Sequence, residues 1–185
     1  MRVFLGITGA SGAPYAARLL EALASAGCEV GAAASSAAEQ VFATELGRSV
    51  ADVAAEHGAT LYRADDWNAP YASGSAQVDA YVICPCSMGT LGTIASGAMQ
   101  NLIHRAASVA LKEGRKLVLM PRETPLSTIH LENMLTLRRA GATILFLAPG
   151  FYHSPRTVQD LVDFVVARAL DQLGVENSLV ERWGS

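Results

Sequence analysis

The sequence predicts an α/β fold in three layers, a doubly wound, mostly parallel sheet with helices on both faces. Two observations carry this. Short apolar runs at residues 3–7, 29–34, 81–84, 117–120 and 143–147 have the length and composition of buried strands. The segments between several of them place apolar residues at helical spacing, and strands alternating with helices give a parallel sheet.

Taken in order, residues 3–7 form a strand, 9–12 a turn, and 14–26 a helix that starts at Pro14 and gathers Ala16, Leu19, Leu20 and Leu23 on one face. Residues 29–34 form the second strand. Ser36-Ala37-Ala38-Glu39 then has capping-box spacing and opens a helix through about residue 46. Residues 58–76, rich in Asp, Asn, Pro, Ser and Gly, read as a long loop, a kind that often carries function. Residues 81–84 are the third strand, and helices fill 88–95 and 101–111. The strand at 117–120 is ended by Pro121, so Arg122 and Glu123 stand at its carboxyl end, where open α/β sheets bind ligands. A helix at 127–139, a fifth strand at 143–147 and a last helix at 157–173 follow. That helix lines up Val158, Leu161, Val162, Val165 and Ala169, with Arg168 at the edge of the stripe. With no repeat or linker, residues 1–185 form one domain, a flavodoxin-like or Rossmann-like sandwich.

Composition narrows the function. Apolar residues make up 51% and charged ones 17%, against about 25% charged in a typical soluble domain. Some apolar surface is therefore expected to be covered by other copies, which predicts a homo-oligomer. No apolar run approaches the roughly 20 residues of a membrane span. Residues 1–9 run straight into a strand and turn, so a cytoplasmic protein is expected, with no membrane partner. A net charge of -3 argues against nucleic acid, which needs an extended basic face. Cys28, Cys84 and Cys86 are odd in number and lack zinc-site or redox-pair spacing, so they read as buried free thiols.

Against this acidic background, Arg105, Lys112, Arg115, Lys116 and Arg122 gather five of the 14 basic residues into one stretch. Such a cluster suggests an anion site, although Lys112 and Arg115 also suit a helix carboxyl end and Glu123 suits pairing with Arg122. Gly6-Ile7-Thr8-Gly9-Ala10-Ser11-Gly12 links a strand to a helix, as either a phosphate cradle or a plain tight turn. It departs from Gly-x-Gly-x-x-Gly, and no acidic residue ends the second strand, so a mononucleotide fits better than NAD. Ser35 ends the second strand and Cys86-Ser87-Met88-Gly89-Thr90 follows the third, putting donors on the same rim, where each serine also suits a helix cap. His130 and Glu132 lack the second histidine of a metalloprotease helix and read as packing. His57, His104 and His153 are scattered, so no metal site is expected.

Gly-Ala-Ser-Gly at 9–12, Pro-Cys-Ser-Met at 85–88, Arg-Ala-Ala at 105–107, Leu-Lys-Glu at 111–113, Pro-Arg-Glu-Thr-Pro-Leu at 121–126 and Phe-Tyr-His at 151–153 together resemble the flavin prenyltransferase family, the UbiX type. The resemblance spans nearly the whole chain. It implies transfer of a dimethylallyl group from dimethylallyl phosphate to reduced FMN, joining N5 and C6 in a fourth ring. It also implies a dodecamer, with flavin near subunit contacts, whose product serves a UbiD-type decarboxylase.

The resemblance further implies FMN contacts at Gly9, Ala10, Ser11, Ser35, Ser87, Met88, Gly89, Thr90 and Arg122. Trp67, Ser73, Arg105, Lys112, Arg122, Tyr152 and Arg168 would hold dimethylallyl phosphate, with Trp67 as an aromatic wall by cation–π attraction. Trp67 also suits a plain loop anchor. Glu123 is the first choice for the base at C6, with the released phosphate as another. Ser11 would lie near N5, Glu45 would be a second acid, and Lys112 would act on the leaving group. Trp183, in the tail, would help cover the site. Many prenyltransferases hold magnesium with Asp-Asp-x-x-Asp; here Asp65-Asp66 is followed by Trp67, Asn68 and Ala69, so fixed cations are expected to replace a metal. An FMN-dependent cysteine-type decarboxylase and a noncatalytic FMN-binding decarboxylase subunit are the alternatives.

Overall fold

The computed structural model describes residues 1–182 and Gly184; Trp183 lies outside the described residues, and with it the tail expectation. Six parallel strands, β1 (Arg2–Ile7), β2 (Glu29–Ala34), β3 (Thr60–Tyr62), β4 (Ala80–Cys86), β5 (Lys116–Pro121) and β6 (Thr143–Ile144), form one sheet in the order β3-β2-β1-β4-β5-β6. Without the short edge strand β3 this order reduces to the flavodoxin one.

Strand side chains alternate between two cores. Val3, Leu5 and Ile7 pack against α1 (Ala13–Ser25), α2 (Ser36–Leu46), α3 (Val50–Glu56) and α7 (Val158–Leu173). Phe4, Tyr81 and Ile83 pack on the other face against α4 (Met88–Ala95), α5 (Leu102–Lys112) and α6 (Thr128–Arg139). The winding reverses between β1 and β4, which opens a crevice at their carboxyl ends, the place for a ligand in such sheets.

Several expectations are corrected. The 58–76 loop contains β3 and a 3-10 turn at Pro70–Ala72, whose Tyr71 is buried against Phe4, with ring centroids 4.9 Å apart. Helix α3, capped by Ser49, was not foreseen. The cap of α2 is Ser35, not Ser36; Glu39 instead reaches forward to accept the Val50 amide at 3.2 Å. His130 is no packing residue: its Nδ1 accepts the Ser127 amide at 3.3 Å while its own amide donates to Ser127 Oγ, a reciprocal cap on α6. Cys84 and Cys86 are buried as expected, but Cys28 is only half-buried. Among the described residues, no helix is long and apolar enough to cross a membrane.

Candidate active site

The crevice is stitched by Thr8. Its hydroxyl donates to the Pro85 carbonyl at 2.8 Å and accepts the Ser87 amide at 2.7 Å, which locks the loop after β1 to the loop after β4. Gly9 is required by closeness: a Cβ there would sit 2.3 Å from Ala37 Cβ, so α2 packs directly on the loop. Gly12 holds φ 134°, which L side chains rarely adopt, and turns the chain into α1.

The start of α1 is not open to a phosphate as the glycine pattern suggested. Glu45 Oε2, reaching over from α2, accepts the Gly12 amide at 3.0 Å and the Ala13 amide at 2.8 Å, so a protein carboxylate already meets the helix dipole. Burial alone would raise the Glu45 pKa. Bonds from Ser11 and from those two amides, with the Arg122 charge, outweigh it and hold the carboxyl below the ordinary glutamate value.

The neighbouring helix starts are better placed to take an anion. Ser35 Oγ accepts the Ala38 amide at 3.2 Å and Ser87 Oγ the Thr90 amide at 3.2 Å, so each serine caps its helix as anticipated. Such a cap satisfies the third amide of a helix and leaves the two before it, at Ser36 and Ala37 and at Met88 and Gly89, for solvent or a ligand. A Cβ at Gly89 would meet nothing within 4 Å, so the space above α4 is open.

Arg122 and Glu123 stand at the carboxyl end of β5 as predicted. Arg122 Nε donates to the Ser11 carbonyl at 3.3 Å, so it joins the Ser11–Glu45 group. Glu123 does not pair with it; its carboxylate accepts the Thr124 amide at 3.1 Å. Gly9, Ala10, Ser11, Ser35, Glu45, Ser87, Met88, Gly89, Thr90, Arg122 and Glu123 thus share one rim.

The other predicted residues fall elsewhere, and the basic stretch does not form one anion site. Arg105 donates to the Ala72 carbonyl at 2.8 Å, Arg115 to the Gly74 carbonyl at 2.7 Å, and Lys116 to the Leu173 carbonyl at 3.0 Å. Lys112 pairs with Glu113 beside Gly74. Lys116 pairs with Ala80 in the sheet, whereas Pro121 pairs with Cys86, so Lys112 and Arg122 flank opposite ends of a strand about 17 Å long. Trp67, Ser73, Arg105 and Lys112 are strung along α5 and the segment that packs on it, with Trp67 and Ser73 exposed.

Tyr152 and Arg168 make a third group. With His153, Phe164, Asn177 and Arg182 they line a cavity of ≈ 630 Å³ between α7, the loop before it and the carboxyl-terminal tail. His153 stacks on Phe164 at 5.1 Å, and Tyr152 meets the same ring edge-on at 5.7 Å. Both His153 nitrogens are buried and, among the described residues, meet no hydrogen-bond partner.

Thr8 and Asp171, the carboxylate beneath Arg168, were missed. Thr8 sits inside the quoted glycine loop and could have been marked by its hydroxyl; nothing local flags Asp171. Burial pushes the Cys84 thiol up and the Cys86 thiol to about 12, so neither supplies a nucleophile at neutral pH. Among the described residues no group of three or more His, Cys, Asp or Glu side chains could hold a metal.

The sequence matches the Flavoprotein family over residues 1–170. It is 51% identical to a flavin prenyltransferase UbiX of Pseudomonas aeruginosa, over 99% of this chain and 94% of that protein. It is 46% identical to a flavin prenyltransferase UbiX of Methanocaldococcus jannaschii, over the whole of both. Among solved structures, a dodecameric FMN-dependent UbiX-like decarboxylase from Escherichia coli O157:H7 superposes with a TM-score of 0.95 at 46% identity, covering all of both chains. AnUbiX (PadA1), in complex with FMN and dimethylallyl pyrophosphate, gives 0.96 at 40% identity, covering 100% of this chain and 97% of that one. The FMN-dependent cysteine decarboxylase TvaF, at 0.67 and 17% identity, shares the fold alone. A flavoprotein scaffold, a rim of serine-capped helix starts and full-length kinship with the UbiX proteins lead to one assignment: this chain belongs to the flavin prenyltransferase family.

Proposed function

We propose that this chain transfers a dimethylallyl group from dimethylallyl phosphate to N5 and C6 of reduced FMN, without a metal, and supplies the product to a UbiD-type decarboxylase. The observation that carries this reading is the junction of Ser11, Glu45 and Arg122 on the rim that offers open amides at α2 and α4. Those amides, with Ser35 and Ser87, fit a phosphate ester, and the Gly9–Ser11 turn beside them fits a flat polar ring. Reduced FMN supplies two nucleophilic positions when bound.

The chain's residues divide the remaining work. As the allylic carbon–oxygen bond breaks, its electron pair stays on the phosphate, and Arg122, Lys112, Arg105, Tyr152 and Arg168 hold that anion as fixed positive charge and hydrogen-bond donors. Trp67, with Ser73 near it on the same segment, shields the allyl group from water. Glu45, kept ionised, accepts through the Ser11 hydroxyl the proton lost at N5; ring closure then adds a proton, carried by the released phosphate, to the remaining double bond as C6 bonds to the tertiary carbon, and Glu123 accepts the proton lost at C6.

Lys112 and Arg122 flank opposite ends of one chain's sheet, so the phosphate-binding set is completed between copies. The dodecameric state of the Escherichia coli relative supports such an assembly here. Anaerobic incubation of the purified protein with reduced FMN and dimethylallyl phosphate, followed by mass spectrometry of the flavin, tests the reading. A flavin heavier by one dimethylallyl group is expected; an unchanged mass rejects it.

A further inference from the structure

The carboxylate of Asp171 collects three donors from two directions. Arg168 Nη1 donates to Oδ2 at 2.7 Å from one helical turn away; Asn177 Nδ2 and Arg182 Nη2 donate to Oδ1 at 3.2 and 3.1 Å from the tail. Asn177 also reaches the Ala167 carbonyl at 3.5 Å, so the tail is laid back along α7. Only 21% of the Asp171 side chain is exposed, against 53% for Arg168 and 64% for Arg182, so the shared acceptor is the most shielded member of the group.

This arrangement has two physical effects. An arginine on a helix surface samples many rotamers, and one charge-assisted bond to a shielded carboxylate fixes its stem while leaving other N–H groups of its fork for a ligand. Sharing its one negative charge with Arg182 also keeps Asp171 from fully neutralising Arg168. The other carboxylate on the cavity wall, Glu181, is on an exposed residue.

We propose that Asp171 is the positioning residue of this cavity, aiming Arg168 at the substrate phosphate and holding the tail closed over it through Asn177 and Arg182. The proposal rests on the prenyl-transfer reading for the identity of the ligand. Asp171 touches no reacting atom and acts through Arg168.

Calorimetric titration of dimethylallyl phosphate into protein loaded with oxidised FMN, which cannot turn over, measures the effect directly. Asp171→Asn should weaken that binding about tenfold, as loss of one charge-assisted contact does. FMN affinity should stay within about twofold, and Asp171→Glu should recover much of the loss. Hydrogen exchange should quicken in residues 175–182 of Asp171→Asn and not elsewhere. Unchanged phosphate binding overturns the proposal, as does a joint loss of FMN and phosphate binding with a lowered melting temperature, which marks a purely structural role. If wild-type protein binds dimethylallyl phosphate yet leaves the flavin mass unchanged, the prenyl-transfer reading fails while the positioning role is still decided by the titration. If it binds none, unchanged tail exchange in Asp171→Asn overturns the clasp as well.

Discussion

Glu45 accepts the Ala13 amide at 2.8 Å, and through this bond the second helix of the chain supplies the negative charge that the first helix calls for. The same carboxylate is bonded to Ser11 and lies under the influence of Arg122, so the group that caps α1 is also the one proposed above to accept the N5 proton.

The cap has a pH signature. The folded-state pKa of Glu45 is depressed, so its contribution is present above the unfolded value, about 4.5, and is lost as pH falls through the lower folded value. Because the residue is exposed, solvent screening limits the effect to about 0.5–1 kcal/mol. Urea unfolding of wild type and Glu45→Gln should therefore differ by that amount near about pH 6 and converge in acid. A gap that widens in acid contradicts the argument.

Glu123 stands at the rim, its carboxylate turned to the Thr124 amide. Glu123→Gln should keep FMN affinity and lose about 10²- to 10⁴-fold in kcat, read by single-turnover formation of prenylated flavin. Wild-type turnover in that variant removes its role as base.

Separation of Lys112 from Arg122 by the length of β5 makes a complementation test decisive. Lys112→Ala and Arg122→Ala homo-oligomers should each lose at least about tenfold in activity. Oligomers refolded from a mixture should recover a fraction of it, because some sites then draw an intact Lys112 and an intact Arg122 from different chains. No recovery in verified mixed oligomers counts against a shared site.

The close approach of Gly9 to Ala37 gives a backbone test. Gly9→Ala should force α2 from the loop, lower stability by about 1–3 kcal/mol and weaken FMN binding, measured by thermal melting and by quenching of flavin fluorescence. Unaltered values in both would show that the loop has room.

What the sequence revealed, and what it hid, follows from how local each signal is. Residues 117–120 announce a covered strand by composition, and Pro121 marks its end, so Arg122 and Glu123 could be placed on the rim before any coordinates. Strand β3 escaped notice because one exposed and two half-buried residues at a sheet edge, inside a polar segment, carry no periodicity. The basic stretch misled because nearness in sequence is not nearness in space: a strand lies between Lys116 and Arg122, and the other four cations end on carbonyl oxygens or a neighbouring glutamate. Ser36 and Ser35 offer the same chemistry one residue apart, and only backbone geometry selects the cap.

The span of β5 also bears on how this protein responds to dilution. If the phosphate is held from both ends of that strand, as proposed, a lone chain has no complete site and specific activity depends on protein concentration. Below the concentration at which the assembly dissociates, turnover per chain should fall faster than the number of folded chains, which couples flavin modification to the amount of protein a cell makes.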